Sequence, residues 1–202
     1  FPAFNRGAMA AAIPGRIGAA ALGFSRFGDQ LYNEQVLALG YGNKFGIASL
    51  GLKANIIQYS AQGFGNRRLF TVSFGGIASI TEVLSVGAYM TNLNQPLISN
   101  RDAEERIPAL VNVGVMLKLS EHIIACAELE KDLGEQLVIK SGIEYQLHDR
   151  FFFRTGFNLG PKAAFAGIGL KPRRISFDYA VQYGFDVGMN HHISAAIKLG
   201  RK

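Results

Sequence analysis

The sequence predicts an all-β chain, an up-and-down antiparallel β-barrel that crosses a membrane with about twelve strands. Three observations predict it. The first is residues 175–187, where Ile175, Phe177, Tyr179, Val181, Tyr183, Phe185 and Val187 alternate with Ser176, Asp178, Ala180, Gln182, Gly184 and Asp186. Successive side chains on a strand point to opposite faces, so this run has one greasy face and one wet face. The second is recurrence: the same signal returns along almost the whole chain, with no helical period of comparable length between the repeats. The third is that short and long connections alternate, as in outer-membrane barrels with tight turns on one side and longer loops on the other. Closure has an energetic reason as well, because within hydrocarbon only a helix or an edgeless sheet pairs every backbone N–H and C=O.

Composition agrees with a thin-walled, strand-rich object. The chain has 202 residues, enough for one domain, of which only 18% are charged, and it holds 24 Gly, useful where strands approach closely or a sheet bends. With no Trp, any aromatic girdle must come from its 15 Phe and 7 Tyr. The net charge of +6 is scattered in pairs at strand ends, Arg67 with Arg68, Arg173 with Arg174 and Arg201 with Lys202. Such pairs suit lipid headgroups, and without a basic helix or an aromatic stacking strip nucleic acid is not an expected partner. A single Cys126 excludes an intrachain disulfide framework. The most apolar run, residues 8–24, is broken by Pro14, Gly15 and Arg16 and is no membrane helix. The opening Phe1-Pro2-Ala3-Phe4 is expected to be a processed or incomplete N-terminus.

Taken in order, residues 1–16 are expected to be a short helix, coil or plug, since the small-residue run Ala8 to Ala12 stops at Pro14-Gly15. Residues 17–202 then form the barrel. Its strands are expected at 17–27, 35–44, 47–59, 68–80, 83–93, 107–119, 123–130, 136–147, 151–159, 163–170, 175–187 and 191–199. In the sixth, Ala109, Val111, Val113, Val115, Leu117 and Leu119 form the outward set, opposed by Asn112, Gly114, Lys118 and Ser120. In the last, Ile193, Ala195, Ile197 and Leu199 do so, opposed by Ser194 and Lys198. Tight turns are expected at Asn43-Lys44, Thr81-Glu82, Ser120-Glu121, His148-Asp149 and Pro172-Arg173. Longer polar connections are expected at 28–34, 60–67, 94–106, 130–135 and 188–190.

With the bulky face outward, charges of the other parity point into the lumen. Pivoting about His148-Asp149-Arg150 sets Glu144 opposite Arg154, and pivoting about Gly134 sets Glu128 opposite Lys140; Asp178 shares that parity. These are expected to be cross-strand ion pairs that line a polar conduit or fill a narrow barrel. The loop 94–106, with Arg101, Asp102, Glu104, Glu105 and Arg106, and the stretch with Asn66, Arg67 and Arg68 form the expected partner-binding surface, since function on a rigid barrel sits in its loops. Catalysis finds no support. Glu128 with Glu130 and Glu104 with Glu105 do not converge on a cleft, and His191 and His192 are strand neighbours whose rings face opposite ways. Gly63-Phe64-Gly65 and Gly167-Ile168-Gly169 open no helix as a phosphate loop does, and Cys126 has no evident His partner. No enzyme activity, cofactor or metal site is expected.

The run Tyr32-Asn33-Glu34-Gln35-Val36-Leu37-Ala38-Leu39-Gly40-Tyr41-Gly42, then Lys44-Phe45-Gly46 and Gly51-Leu52-Lys53-Ala54-Asn55, resembles the PorV/PorQ-like outer-membrane barrels of type IX secretion, relatives of the FadL transporters. Ala127 to Asp132, Lys140 to Tyr145 and Phe153-Arg154-Thr155-Gly156 extend the likeness from about residue 10 to the end. The resemblance implies a non-enzymatic protein of the bacterial outer membrane, in contact with its lipid. It would be a structural or accessory subunit of an outer-membrane assembly, partnered by other outer-membrane or secretion-system proteins. A FadL-like transporter or pore for small or hydrophobic molecules is the alternative. Family barrels have about fourteen strands, against about twelve here, and this chain ends Gly200-Arg201-Lys202 rather than in an aromatic residue. Either strands precede this sequence or the protein is a shortened relative.

Overall fold

Antiparallel strands joined in chain order make up almost everything in the computed structural model, which describes residues 5–29, 31–63, 65–100, 103–132 and 136–199. The strands are β1 Asn5–Gly15, β2 Gly18–Gly28, β3 Tyr32–Phe45, β4 Ala48–Ala61, β5 Gly65–Ser79, β6 Leu84–Thr91, β7 Leu97–Asn100, β8 Ala103–Arg106, β9 Leu110–Lys118, β10 Ile123–Asp132, β11 Val138–His148, β12 Phe151–Leu159, β13 Ala163–Leu170, β14 Ile175–Gly184 and β15 Gly188–Ile197. Thirteen form one up-and-down sheet in the order β1 to β6, then β9 to β15, while β7 and β8 pair as a separate hairpin. Each of the twelve expected strands has its counterpart.

The expectation for residues 1–16 is overturned. Asn5–Gly15 is strand β1, paired without a slip to β2 from Asn5 opposite Gly28 to Gly15 opposite Gly18. The alanine run favours helix locally, but β2 offers an unpaired row of backbone groups, and pairing outweighs a weak propensity. Pro14, which cannot donate, is tolerated because β1 is the first strand in the hydrogen-bonded order.

The chain divides into two compact units. The first holds β1 to β5, most of β6 and the β7–β8 hairpin. One of its faces carries rows such as Met9, Phe24, Leu37, Ile56 and Phe70, residues directly opposite one another on successive strands. This face is exposed: Leu39 by 61%, Ile56 by 50% and Phe70 by 53%. The other face carries Ala10, Gly23, Ala38, Asn55 and Thr71 in one row and Ala12, Ala21, Gly40, Lys53 and Ser73 in the next. Here Asn55, Thr71 and Ser73 are buried, and Asn55 Nδ2 donates to Thr71 Oγ1 at 3.0 Å. The unit therefore buries polar groups and exposes apolar ones, the reverse of a sheet packed in water.

The second unit holds most of β9 and of β10, with β11 to β15, and repeats the pattern. Tyr145, Phe153, Ile168, Tyr179 and Ile193 stand in one row across five strands of the bulky face. On the opposite face the row is Glu144, Arg154, Gly167, Ala180 and His192. His191 lies on the bulky face, where its Nδ1 is 2.8 Å from the Tyr179 hydroxyl.

Several boundaries differ from expectation, for one reason: backbone pairing continues as long as the partner strand does, whatever the side-chain polarity. The turn expected at Asn43-Lys44 falls at Gly46-Ile47, where Gly46 takes the left-handed conformation at φ 59°. The expected long connections 28–34 and 60–67 shrink to 29–31 and 62–64, because β2 and β3 extend into the first and β4 and β5 into the second. The last turn is 185–187, so Phe185 and Val187 leave β14, and 188–190 open β15. Between the strands of the described residues the connections are short except for 92–109, which contains β7 and β8, so the expected alternation of short and long connections is not observed. Ala109, expected on the outward face, precedes β9 and is buried at 3% exposure.

Candidate functional site

The polar face of the second unit brings its charges together in two clusters. Glu128 and Lys140 are direct cross-strand partners, as the pivot about Gly134 requires, and Lys140 Nζ lies 3.1 Å from Glu128 Oε1. The same ammonium also reaches Glu130 Oε2 at 2.6 Å, one diagonal step along β10. Glu144 and Arg154 are likewise partners, with Arg154 Nε 2.5 Å from Glu144 Oε2. Arg154 Nη1 donates in addition to Asp178 Oδ1, two strands away on β14. The guanidinium also stands 5.8 Å from the centre of the Phe152 ring, within cation–π range.

Glycine makes the longer reach possible. Gly167 stands opposite Arg154 and Gly169 opposite Asp178, so β13 presents no side chain between them. A Cβ on Gly169 would lie 2.8 Å from Asp178 Oδ1 and 3.1 Å from Arg154 Nη1. Sequence reasoning paired Glu128 with Lys140 and Glu144 with Arg154 but missed Glu130 and the Arg154–Asp178 bridge. The signals were a diagonal offset of two residues and a Gly-x-Gly on the strand between. Each cluster holds two carboxylates around one cation. Cys126, opposite Gly142, stands on the same face and is exposed.

The expected partner-binding residues fare differently. Asn66, Arg67 and Arg68 are not in a loop: they belong to β5, opposite Ser60, Tyr59 and Gln58, and Arg68 Nε donates to Gln58 Oε1 at 3.0 Å. The β4–β5 hairpin simply runs further than its polar residues suggest. Arg101 and Asp102 lie outside the described residues. Glu104, Glu105 and Arg106 fall on β8, in register with Ser99, Ile98 and Leu97 of β7.

The root of this connection is fixed to β5. Leu93 N–H donates to Val72 O at 2.9 Å. The Asn94 carboxamide then accepts from Val72 N–H at 3.1 Å and donates to Phe70 O at 2.7 Å, doing for β5 what a further strand residue would do. At the β2–β3 turn, Asp29 Oδ1 accepts from the N–H groups of Tyr32 and Leu31, and these bonds hold its carboxyl below the usual carboxylate range. Among the described residues no three His, Cys, Asp or Glu side chains converge as a metal site, and no helix is long and apolar enough to cross a membrane.

No protein-family model and no curated protein matches the chain. Solved structures do. A variant of the porin of Rhodopseudomonas blastica superposes with a TM-score of 0.55 at 9% identity, covering 96% of this chain and 89% of the porin. A second porin variant from the same organism gives 0.56 at 8% identity, over 96% and 89% of the two chains. A structure described as "asymmetric conductivity of engineered proteins" gives 0.52 at 10% identity with the same coverage. At such identities the likeness establishes the fold: an all-β, antiparallel, up-and-down sheet of the porin kind.

Proposed function

We propose that this chain forms the wall of a non-enzymatic β-barrel of the bacterial outer membrane, through which small hydrophilic solutes pass. One observation carries the reading: in each unit the exposed face is bulky and apolar while the opposite face is small and polar, hydrogen-bonded at Asn55 and Thr71 in the first unit and ion-paired in the second. An apolar face of this extent is stable against acyl chains and not against water, and the polar face then lines an aqueous path. The likeness to porins supports the same reading. Purified protein in liposomes should swell them in isotonic solutions of small sugars, at a rate that falls with solute size. Liposomes that stay impermeable to every solute would overturn the channel.

A second reading, an accessory subunit of a type IX secretion assembly, draws support from the resemblance at Tyr32 to Asn55, which occupies the β3–β4 hairpin. Its test is mild-detergent extraction from native membranes. A stoichiometric large outer-membrane partner together with impermeable liposomes would favour it over the channel.

A further inference from the structure

On the polar face of the first unit three glycines stand side by side: Gly42 opposite Gly51, and Gly51 opposite Gly75. Strands lie about 4.8 Å apart, so this row is a shelf roughly 10 Å wide with bare backbone for a floor. The shelf belongs to a recess of about 450 Å³, bounded by Tyr89 on one side and by Lys53 and Ser73 along the next row. Gly75 is obligatory, because a Cβ there would lie 2.6 Å from Tyr89 Cβ and 3.0 Å from Ala88 O. Gly51 is not, since its Cβ would meet only Tyr41 O at 3.5 Å and Gly42 Cα at 4.0 Å. At Gly51 the space is open although the backbone would admit a side chain.

Two polar groups on this recess lack partners among the described residues. Lys53 is exposed and forms no ion pair, unlike Lys140 and Arg154. Ser73, opposite Lys53, is only 7% exposed, and its Oγ makes no hydrogen bond. Water satisfies an exposed ammonium, but a buried hydroxyl is usually hydrogen-bonded, so the orphaned Ser73 Oγ beside the Lys53 charge on this recess points to an absent acceptor. Backbone groups of the floor are engaged in the sheet, which leaves few polar contacts for a sugar. A flat apolar body against the shelf and Tyr89, with one anionic group at Lys53, fits the chemistry better.

We propose that this recess binds a small planar aromatic monocarboxylate. The inference rests on the reading of that face as lumenal only for the ligand's route to it. Ring and floor make flat contact, the carboxylate accepts from Lys53 Nζ, and Ser73 turns its hydroxyl toward the same oxygen pair.

Benzoate is the probe, titrated by ligand-observed NMR against the full chain in detergent micelles, with benzyl alcohol as the uncharged counterpart. Binding of benzoate should saturate. Benzyl alcohol, and benzoate with Lys53→Gln, should each bind about tenfold more weakly at low salt, the loss expected for one charge-assisted hydrogen bond. Gly51→Val, whose side chain fills the shelf while its Cβ touches the backbone only at ordinary van der Waals distance, should abolish saturation while the far-UV circular dichroism stays unchanged. Benzoate that never saturates, or binds Lys53→Gln or Gly51→Val as it binds the parent chain, overturns the subsite. Absent binding with normal liposome swelling sinks this inference alone; binding without swelling sinks the channel and leaves the subsite standing.

Discussion

A methyl group on Gly169 should cost about as much as neutralising Asp178, and the two changes together should cost no more than either. The reasoning is geometric. The Cβ of Gly169→Ala would lie 2.8 Å from Asp178 Oδ1 and 3.1 Å from Arg154 Nη1, both ends of flexible side chains, so those groups swing apart and the backbone stays put. What is lost is the Arg154–Asp178 bridge, while the contact of Arg154 Nε with Glu144 survives. A charge-assisted hydrogen bond sheltered from water contributes about 1.5–3 kcal/mol. Here the side chains of Arg154 and Asp178 are 44% and 36% exposed, so water screens the pair. The expected cost is therefore about 0.5–1 kcal/mol for Gly169→Ala and for Asp178→Asn alike. With no Trp in the chain, unfolding in detergent is followed by far-UV circular dichroism or by heat-modifiable gel migration. The double variant should show a coupling energy about equal to either single cost, shrinking in roughly 0.5 M salt, where the screening length falls below ~5 Å. Additive costs would refute the claim that Gly169 exists as a gap for this bridge.

Other contacts give independent tests. Lys140→Met strips the shared cation from Glu128 and Glu130 and should destabilise the protein by about 1–2 kcal/mol; adding Glu130→Gln should return part of that in the same denaturation assay. Asn94→Ala removes both bonds to β5 and should cost about 1 kcal/mol, with hydrogen exchange accelerated at the Val72 amide and unchanged at Thr155 on β12. Asp29 has a depressed pKa, so its contribution is present above the ordinary carboxylate range and lost as pH falls through the lower folded value. Protection of the Leu31 and Tyr32 amides should fade over that acidic window, and Asp29→Ala should show the unprotected state at every pH.

The strands and their two faces were legible because alternation is a local property of extended backbone: Phe177, Tyr179 and Val181 point one way however the rest of the chain folds. Cross-strand partners across a short connection followed from counting, hence Glu144 with Arg154. The ends of strands were not legible, since Asn66, Arg67 and Arg68 look like loop residues until β4 is seen to pair with them. Nor was β1, whose alanines favour a helix in isolation and a strand only beside β2. The sequence by itself thus determined that this is a sheet with one fatty and one polar surface, because side-chain direction is written residue by residue. Which long side chains meet across an intervening strand was decided by the tertiary structure alone, because Arg154 reaches Asp178 only where that strand carries glycine. The same holds for the recess beside Lys53, which needs three glycines from three strands brought into one row.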